Sequence, residues 1–249
     1  MDLGIKDQVA VITGAGRGIG AQAALTFAAE GCKVAVWDKD LDKAQEVTEK
    51  VRAAGGQAMA LSGSVGIRAD VEASVQQVLS AWGTVHILIN NAGFGDDAPL
   101  VDMTDEQWDR VINGNLTGPF YCARAVAPTM IRQRYGRIIN ISSRTHQGEA
   151  QKVNYCAAKA GVLGLSRALA VELGPHEITV NTIAPGIVRT ERVLAQAVYE
   201  GLNQRAQERQ LVKRSAEPSD IVNGMLFYAS ATSGFITGDL LYATGGRLS

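Results

Sequence analysis

Gln8-Val-Ala-Val-Ile-Thr13 runs without a break into Gly14-Ala-Gly16-Arg17-Gly18-Ile19-Gly20, and this stretch decides the fold. Its first part is an apolar run of strand length. The glycines that follow permit a tight turn and a close approach of the backbone to a ligand. Ala21–Glu30 then places Ala24, Leu25, Phe27 and Ala28 on one helical face before Gly31 ends the helix. A strand, a glycine turn and a helix in that order hold a pyrophosphate, whose charge the helix N-terminus stabilises. Read from Gly16, the turn has the form Gly-x-Gly-x-x-Ala, and the strand before it and helix after it give the motif its meaning.

Outward from this unit the alternation continues. Further strands are expected at Lys33–Asp38, Gln57–Leu61, Val85–Asn90, Arg137–Ser142, Thr179–Ala184 and Leu240–Ala243, with helical crossovers at Leu41–Ala54 and Arg68–Trp82. Repeated strand, helix, strand implies a parallel sheet covered on both faces, and right-handed crossovers make it doubly wound. The expectation is an α/β Rossmann-type sheet of about seven strands in one domain over residues 1–249. Gly186–Ser215 has no clear place in the alternation, is rich in Gln, Glu and Arg, and is read as a substrate lid.

Composition narrows the partners. Lys and Arg total 24 against 25 Asp and Glu, for a net charge of −1, which argues against a nucleic-acid partner. No apolar run approaches a membrane span and residues 1–6 lack a signal-peptide core, so a cytoplasmic protein is expected. Cys32, Cys122 and Cys156 show no paired spacing and are read as reduced, buried thiols. His86, His146 and His176 lie far apart, and no metal site is expected.

Asp38 ends the second strand, eighteen residues after Gly20. A carboxylate there can accept hydrogen bonds from the adenosine ribose and would repel a 2′-phosphate, which favours NAD over NADP. Arg17 and Lys39 are the nearby cations that could argue the other way. Tyr155 and Lys159 stand at i and i+4, on one face of a helix. A phenol with an ordinary pKa near ~10 is a poor acid or base at neutral pH, and a neighbouring ammonium favours its phenolate. Tyr155 could then exchange a proton with a substrate oxygen.

With these residues in hand the chain resembles the short-chain dehydrogenase/reductase family in its classical, single-domain form, over essentially its whole length. The resemblance rests on Thr13, Gly14, Gly18 and Gly20, on Asn90-Asn91-Ala92-Gly93, and on Asn115 in Asn-Leu-Thr-Gly. It continues through serines at the end of the fifth strand, Tyr155 with Lys159, and Pro185-Gly186 with Thr190. It implies that Tyr155 is the general acid or base, that a serine hydrogen-bonds the reacting oxygen, and that Lys159 binds the nicotinamide ribose. It further implies that Asn115 holds a water linking Lys159 to solvent. Gly14, Arg17, Gly18, Ile19 and Gly20 would hold the pyrophosphate side; Asn91, Ala92 and Gly93 would line the adenosine side; and Val188 and Thr190 would meet the carboxamide. The nicotinamide itself carries the hydride. By the same resemblance a homotetramer is expected.

The chain departs from the family in two places. Where many relatives have an aspartate after the third strand, this sequence has Ser64 followed by Val65. The spacing from Tyr155 points to Ser142 as the catalytic serine, whereas the strand register points to Ser143, which we prefer because loops absorb a deletion more readily than strands. For the substrate, Phe94–Ala98, Arg144–Lys152 and the lid are the expected walls: an apolar slot made by Phe94, Val153, Ile187, Val193 and Leu194 with polar groups at hand in Arg144, His146, Gln147, Glu149 and Lys152, the charged ones turned mostly to solvent. A small to medium secondary alcohol and its ketone, aromatic or cyclic frames included, bearing a polar substituent, fits such a slot. A polyol or sugar, an NADP-dependent 3-oxoacyl-carrier reduction and a non-catalytic dinucleotide sensor are the competing readings. No basic cluster to receive an acidic carrier is evident in the sequence.

Overall fold

The computed structural model describes residues 2–195 and 199–247. Seven strands, β1 (Val9–Thr13), β2 (Lys33–Asp38), β3 (Gln57–Ser62), β4 (Ile87–Asn90), β5 (Gly136–Ile141), β6 (Ile178–Pro185) and β7 (Leu240–Ala243), form one sheet in the order β3-β2-β1-β4-β5-β6-β7. Every pair is parallel. The helices are α1 (Gly18–Ala29), α2 (Leu41–Ala53), α3 (Arg68–Trp82), α4 (Asp105–Ile112), α5 (Gly118–Gln133), α6 (Val153–Leu173), α7 (Glu191–Leu194), α8 (Tyr199–Arg209) and α9 (Pro218–Ala229). The doubly wound expectation holds. Boundaries shift by one to three residues: the fourth strand starts at Ile87, and the first helix starts at Gly18, inside the glycine turn.

Period-two alternation sorts the strand residues into two cores. Ala10, Ile12, Val34 and Val36 face one layer with Phe27, Ile221 and Tyr228; Val9, Val11, Ala35 and Trp37 face the other with Val75, Met130 and Val180. β1 pairs with β2 on one side and β4 on the other, so the connections diverge there and a crevice opens at the carboxyl ends of these strands. Thr13 and Asn91 brace its two lips. Thr13 Oγ1 accepts from the Asn91 and Ala92 amides at 3.1 Å each, and Asn91 Nδ2 donates to the carbonyls of Thr13 and Gly14 at 3.0 and 3.1 Å.

A buried polar chain fixes α6 against the sheet. Asn90 Nδ2 donates to Asn140 Oδ1, Asn140 Nδ2 donates to Ser166 Oγ, and Thr182 Oγ1 donates to Ser166 Oγ, each at 2.8 Å. Ser166 Oγ in turn donates to Val162 O at 2.7 Å. Three strands thus hold one helix through groups that all have partners, which sets its height over the crevice.

The segment before β1 is tied to the far end of the sequence. Ala231 donates its amide to Leu3 O at 2.9 Å, Ser230 Oγ donates to the same oxygen at 3.0 Å, and Ile5 is buried. Cys32 and Cys122 are buried and free, and burial pushes both thiols up to about 12; Cys156 is also free but only half-buried, short of the full burial expected. No helix among the described residues is long and apolar enough to cross a membrane.

Candidate active site

A cleft of about 1310 Å³ lies along the carboxyl ends of the strands. Its amino-terminal wall is the glycine turn, where Gly14, Arg17, Gly18 and Ile19 line the space. Gly18 takes a φ of +56°, and Thr190 from the far wall packs where its Cβ would stand. Gly20 does not line the cleft. It sits behind the turn, packed against Gly14 O and the Asn91 side chain, so its part is in helix packing.

Asp38 is buried at the end of β2 and lines the same cleft. Its Oδ2 accepts from the Gly16 amide at 3.0 Å and its Oδ1 from the Asp40 amide at 3.1 Å, so two backbone donors fix the carboxylate beside the turn. Arg17 is drawn aside to Asp40 at 3.3 Å on the surface, and Lys39 lies over the Phe94 ring at 6.0 Å. Ser64 and Val65 line the cleft after β3. Ser64 Oγ accepts from the Gly66 amide at 3.3 Å, and its own amide donates to Asp70 of α3 at 2.8 Å; this carboxylate, six residues on, braces the turn. Asn91, Ala92 and Gly93 form the next stretch, and Pro185, Gly186, Val188 and Thr190 the opposite one.

Tyr155 and Lys159 share one face of α6 as the spacing requires, with the Lys159 Nζ over the Tyr155 ring, 5.5 Å from its centroid. Lys159 is almost wholly buried, and its Nζ donates to Ile141 O at 2.8 Å. Burial disfavours the charged amine and lowers it from 10.5 to about 8. Ser142 returns the contact: its Oγ donates to Lys159 O at 2.8 Å, so the end of β5 and the first turns of α6 are laced together.

That bond separates the two serines. Ser142 is turned into the helix backbone, while Ser143 caps the following turn, its Oγ accepting from Thr145 N at 3.2 Å and Thr145 Oγ1 at 2.9 Å. With both donations directed onto the oxygen, the Ser143 hydroxyl hydrogen remains for an acceptor in the cleft, which this side chain lines.

Asn115 is fully buried within a π-helical turn, Asn113–Thr117, inserted between α4 and α5. Its Nδ2 donates to Phe94 O at 2.8 Å and Val111 O at 2.9 Å, and its Oδ1 accepts from Phe94 N at 3.2 Å. A Cβ on Gly93 would lie 2.7 Å from that same oxygen and 3.0 Å from Lys159 Nζ, so only glycine lets β4's exit pass between them. Asn115 therefore positions the 93–94 backbone beside Lys159.

The substrate end differs from the apolar slot expected. Phe94, Ile187 and Val193 do line it, but Val153 and Leu194 point outward, and His146 and Gln147 turn away to the Tyr242 hydroxyl. Charged groups take their places: Asp97, Arg144, Glu149, Lys152, Arg209 and Arg247. Arg144 was expected in solvent and is instead only 14% exposed at its side chain, paired with Glu149 at 3.2 Å. The sequence reading missed Arg209 and Arg247, which only the fold brings near Arg144. It also missed Asn154, whose Nδ2 donates to Asp96 O at 2.9 Å and ties the 94–98 loop to α6.

No three His, Cys, Asp or Glu side chains come together as a metal cluster among the described residues. The glycine turn, the two amide-fixed oxygens of Asp38 and the long cleft that Tyr155 and Lys159 also line fit an extended dinucleotide, with its charge at the α1 N-terminus and its reactive ring near Lys159.

Comparison with known proteins agrees with this architecture. Residues 8–198 match the short chain dehydrogenase family. The chain is 40% identical over 249 residues, 98% of each protein, to (2S)-[(R)-hydroxy(phenyl)methyl]succinyl-CoA dehydrogenase subunit BbsD of Thauera aromatica. It is 40% identical over 239 residues, 95% of this chain and 97% of the relative, to the 3-oxoacyl-[acyl-carrier-protein] reductase FabG of Staphylococcus epidermidis. A crystal structure from Sinorhizobium meliloti 1021, described as a candidate short-chain alcohol dehydrogenase, superposes with a TM-score of 0.94 at 34% identity, covering 100% of this chain and 99% of that one. The chain belongs to the short-chain dehydrogenase family. It is an oxidoreductase of that family, of the kind that works with a nicotinamide cofactor on a CH–OH or keto group.

Proposed function

We propose that this chain is an NAD-dependent oxidoreductase that transfers a hydride between the nicotinamide and a small to medium secondary alcohol or its ketone, with Tyr155 as the general acid/base. The observation that carries the reading is the stacking of Tyr155 over the buried Lys159 ammonium at the floor of the cleft, beside Ser143. The nicotinamide, when bound, supplies or receives the hydride. Tyr155 gives the substrate oxygen its proton in reduction and takes it in oxidation. Ser143 donates its hydroxyl hydrogen to that oxygen and orients it. Lys159 holds a positive charge under the phenol and binds the nicotinamide ribose. Asn115 positions Phe94 and the Gly93 backbone around Lys159. Val188 and Thr190 meet the carboxamide, and residues 186–215 cover the substrate; of this lid, residues 196–198 lie outside the described residues.

Asp38 supports the choice of NAD. Its carboxylate is fixed at the end of β2 where the adenosine ribose belongs, and Arg17, the cation nearest the turn, is already paired with Asp40. A 2′-phosphate would meet that negative charge at close range. The relative from Thauera aromatica is named for a substrate with a hydroxy(phenyl)methyl group, a secondary benzylic alcohol, which favours an aromatic carbinol or ketone here. The FabG relatives keep an NADP-dependent 3-oxoacyl reduction as the second reading. Initial rates with NAD(H) and NADP(H), across 1-arylethanols, cyclic alcohols, sugar alcohols and a 3-oxoacyl thioester, separate the two. Faster turnover with NADP(H) on the thioester alone would overturn the first. A soluble cytoplasmic homotetramer completes the proposal.

A further inference from the structure

Thr145 meets Ser143 twice. The residue lies in the short turn Arg144–Gln147 after β5, half-buried, and lines the same cleft as Ser143 and Tyr155. Its amide donates to Ser143 Oγ at 3.2 Å, and its hydroxyl donates to the same oxygen at 2.9 Å. The amide bond closes the turn, and any residue but proline could supply it. The hydroxyl bond needs Ser or Thr. The turn has closures enough without it: His146 N donates to Ser143 O at 3.1 Å, Gly148 N donates to Thr145 O at 2.9 Å, and the His146 ring lies 3.0 Å from the Tyr242 hydroxyl of β7.

A serine oxygen carries two lone pairs and one hydrogen in a tetrahedral arrangement. With the Thr145 amide on one lone pair and Thr145 Oγ1 on the other, the hydrogen has a single direction left, the one that opens on the cleft. With the amide alone, the free lone pair and the hydrogen could exchange places by rotation, and the hydroxyl would offer its proton to the substrate for only part of the time. Donation onto the oxygen also polarises its O–H bond and strengthens what that bond donates onward. The β-branched side chain of Thr145 is itself restricted in χ1, so the donor is held in place. We infer that Thr145 is a positioning residue for the reaction, acting through Ser143: its hydroxyl aims the Ser143 proton at the substrate oxygen. The inference deepens the proposed function and rests on the role given there to Ser143.

A double-mutant cycle tests it, with acetophenone and 1-phenylethanol as probes. Thr145→Val keeps the branched shape and the amide and removes the hydroxyl. It should lower kcat by about threefold to tenfold, with KM and NAD affinity within about twofold of the parent, because the bond counts most as charge builds on the substrate oxygen. Thr145→Ser restores the donor and should recover most of the loss. In a Ser143→Ala background, Thr145→Val should change kcat by less than about twofold, since no hydroxyl remains for it to aim. A second measurement needs no turnover: the infrared carbonyl stretch of acetophenone bound to the protein loaded with oxidised cofactor, which cannot reduce it. Losing a donor to the carbonyl raises this frequency. Ser143→Ala should raise it, Thr145→Val should raise it part of the way, and the double variant should match Ser143→Ala. Losses of kcat that add in the double variant, a loss that Thr145→Ser does not recover, or a Thr145→Val protein with the parent's kcat and carbonyl stretch overturns the inference while Ser143 keeps its role. If Ser143→Ala changes neither rate nor frequency, the proposed role of Ser143 is what fails, and the positioning role falls with it.

Discussion

At the scale of single residues, Ser142 and Ser143 are chemically identical neighbours that line one cleft and differ in their hydrogen bonds. Ser142 spends its proton on Lys159 O, whereas Ser143 receives two donations and keeps its proton for the cleft. Ser143→Ala is therefore expected to lower kcat by about tenfold to a thousandfold. Ser142→Ala should cost about 1 kcal/mol of stability and much less turnover, read from parallel kinetics and urea unfolding. A larger loss of turnover at Ser142 would show that the spacing from Tyr155, and not the strand register, is the right guide. Tyr155→Phe removes the hydroxyl and keeps the ring over Lys159. NAD affinity should stay within a few-fold while kcat falls by about two orders of magnitude or more, checked by titration of cofactor binding beside steady-state rates.

At the scale of elements, β2 and the glycine turn act as one unit because Asp38 accepts the Gly16 amide. Asp38→Ala removes a ribose acceptor and a repulsive charge together, and it also frees a turn amide. The ratio of kcat/KM for NAD over NADP should fall by about tenfold or more, since the Asp38 charge no longer repels a 2′-phosphate while Lys39 and Arg17, the latter paired with Asp40, stay nearby. Retention of the parent ratio would show that Asp38 serves only the turn. The strands and the first crossovers were legible in the sequence because each is a short apolar run whose period-two alternation separates two cores, as Val34 and Val36 against Ala35 and Trp37 show. The π-helical turn at Asn115 was not, because its backbone is set by tertiary bonds to Phe94 and not by local propensity. The three arginines escaped for a related reason: positions 144, 209 and 247 share no periodicity, and the ends of three separate elements bring them together.

For the whole molecule, the buried Lys159 makes part of the active site a cost to folding. Its folded value of about 8 lies below the 10.5 of an exposed lysine. Between those values the unfolded chain binds more protons, so this group's penalty is fully present below about pH 8 and disappears as the pH rises toward 10.5. Lys159→Met should thus be more stable than the parent at pH 7, by about 1–3 kcal/mol once the lost bond to Ile141 O is subtracted, and the difference should shrink by pH 10. Urea unfolding of both proteins at the two pH values measures this, and a variant less stable at pH 7 refutes it. The tie between Leu3 and Ser230 acts on a different axis, that of time. Those residues are 227 positions apart. At ribosomal rates of roughly 5–20 residues per second, the segment that carries Leu3 and Ile5 waits about 11–45 s for its anchor to be made, long after β1 and β2 can pair. During that wait the Leu3 carbonyl lacks the two donors that hold it in the finished fold, which makes the segment around Leu3 and Ile5 among the last to lock.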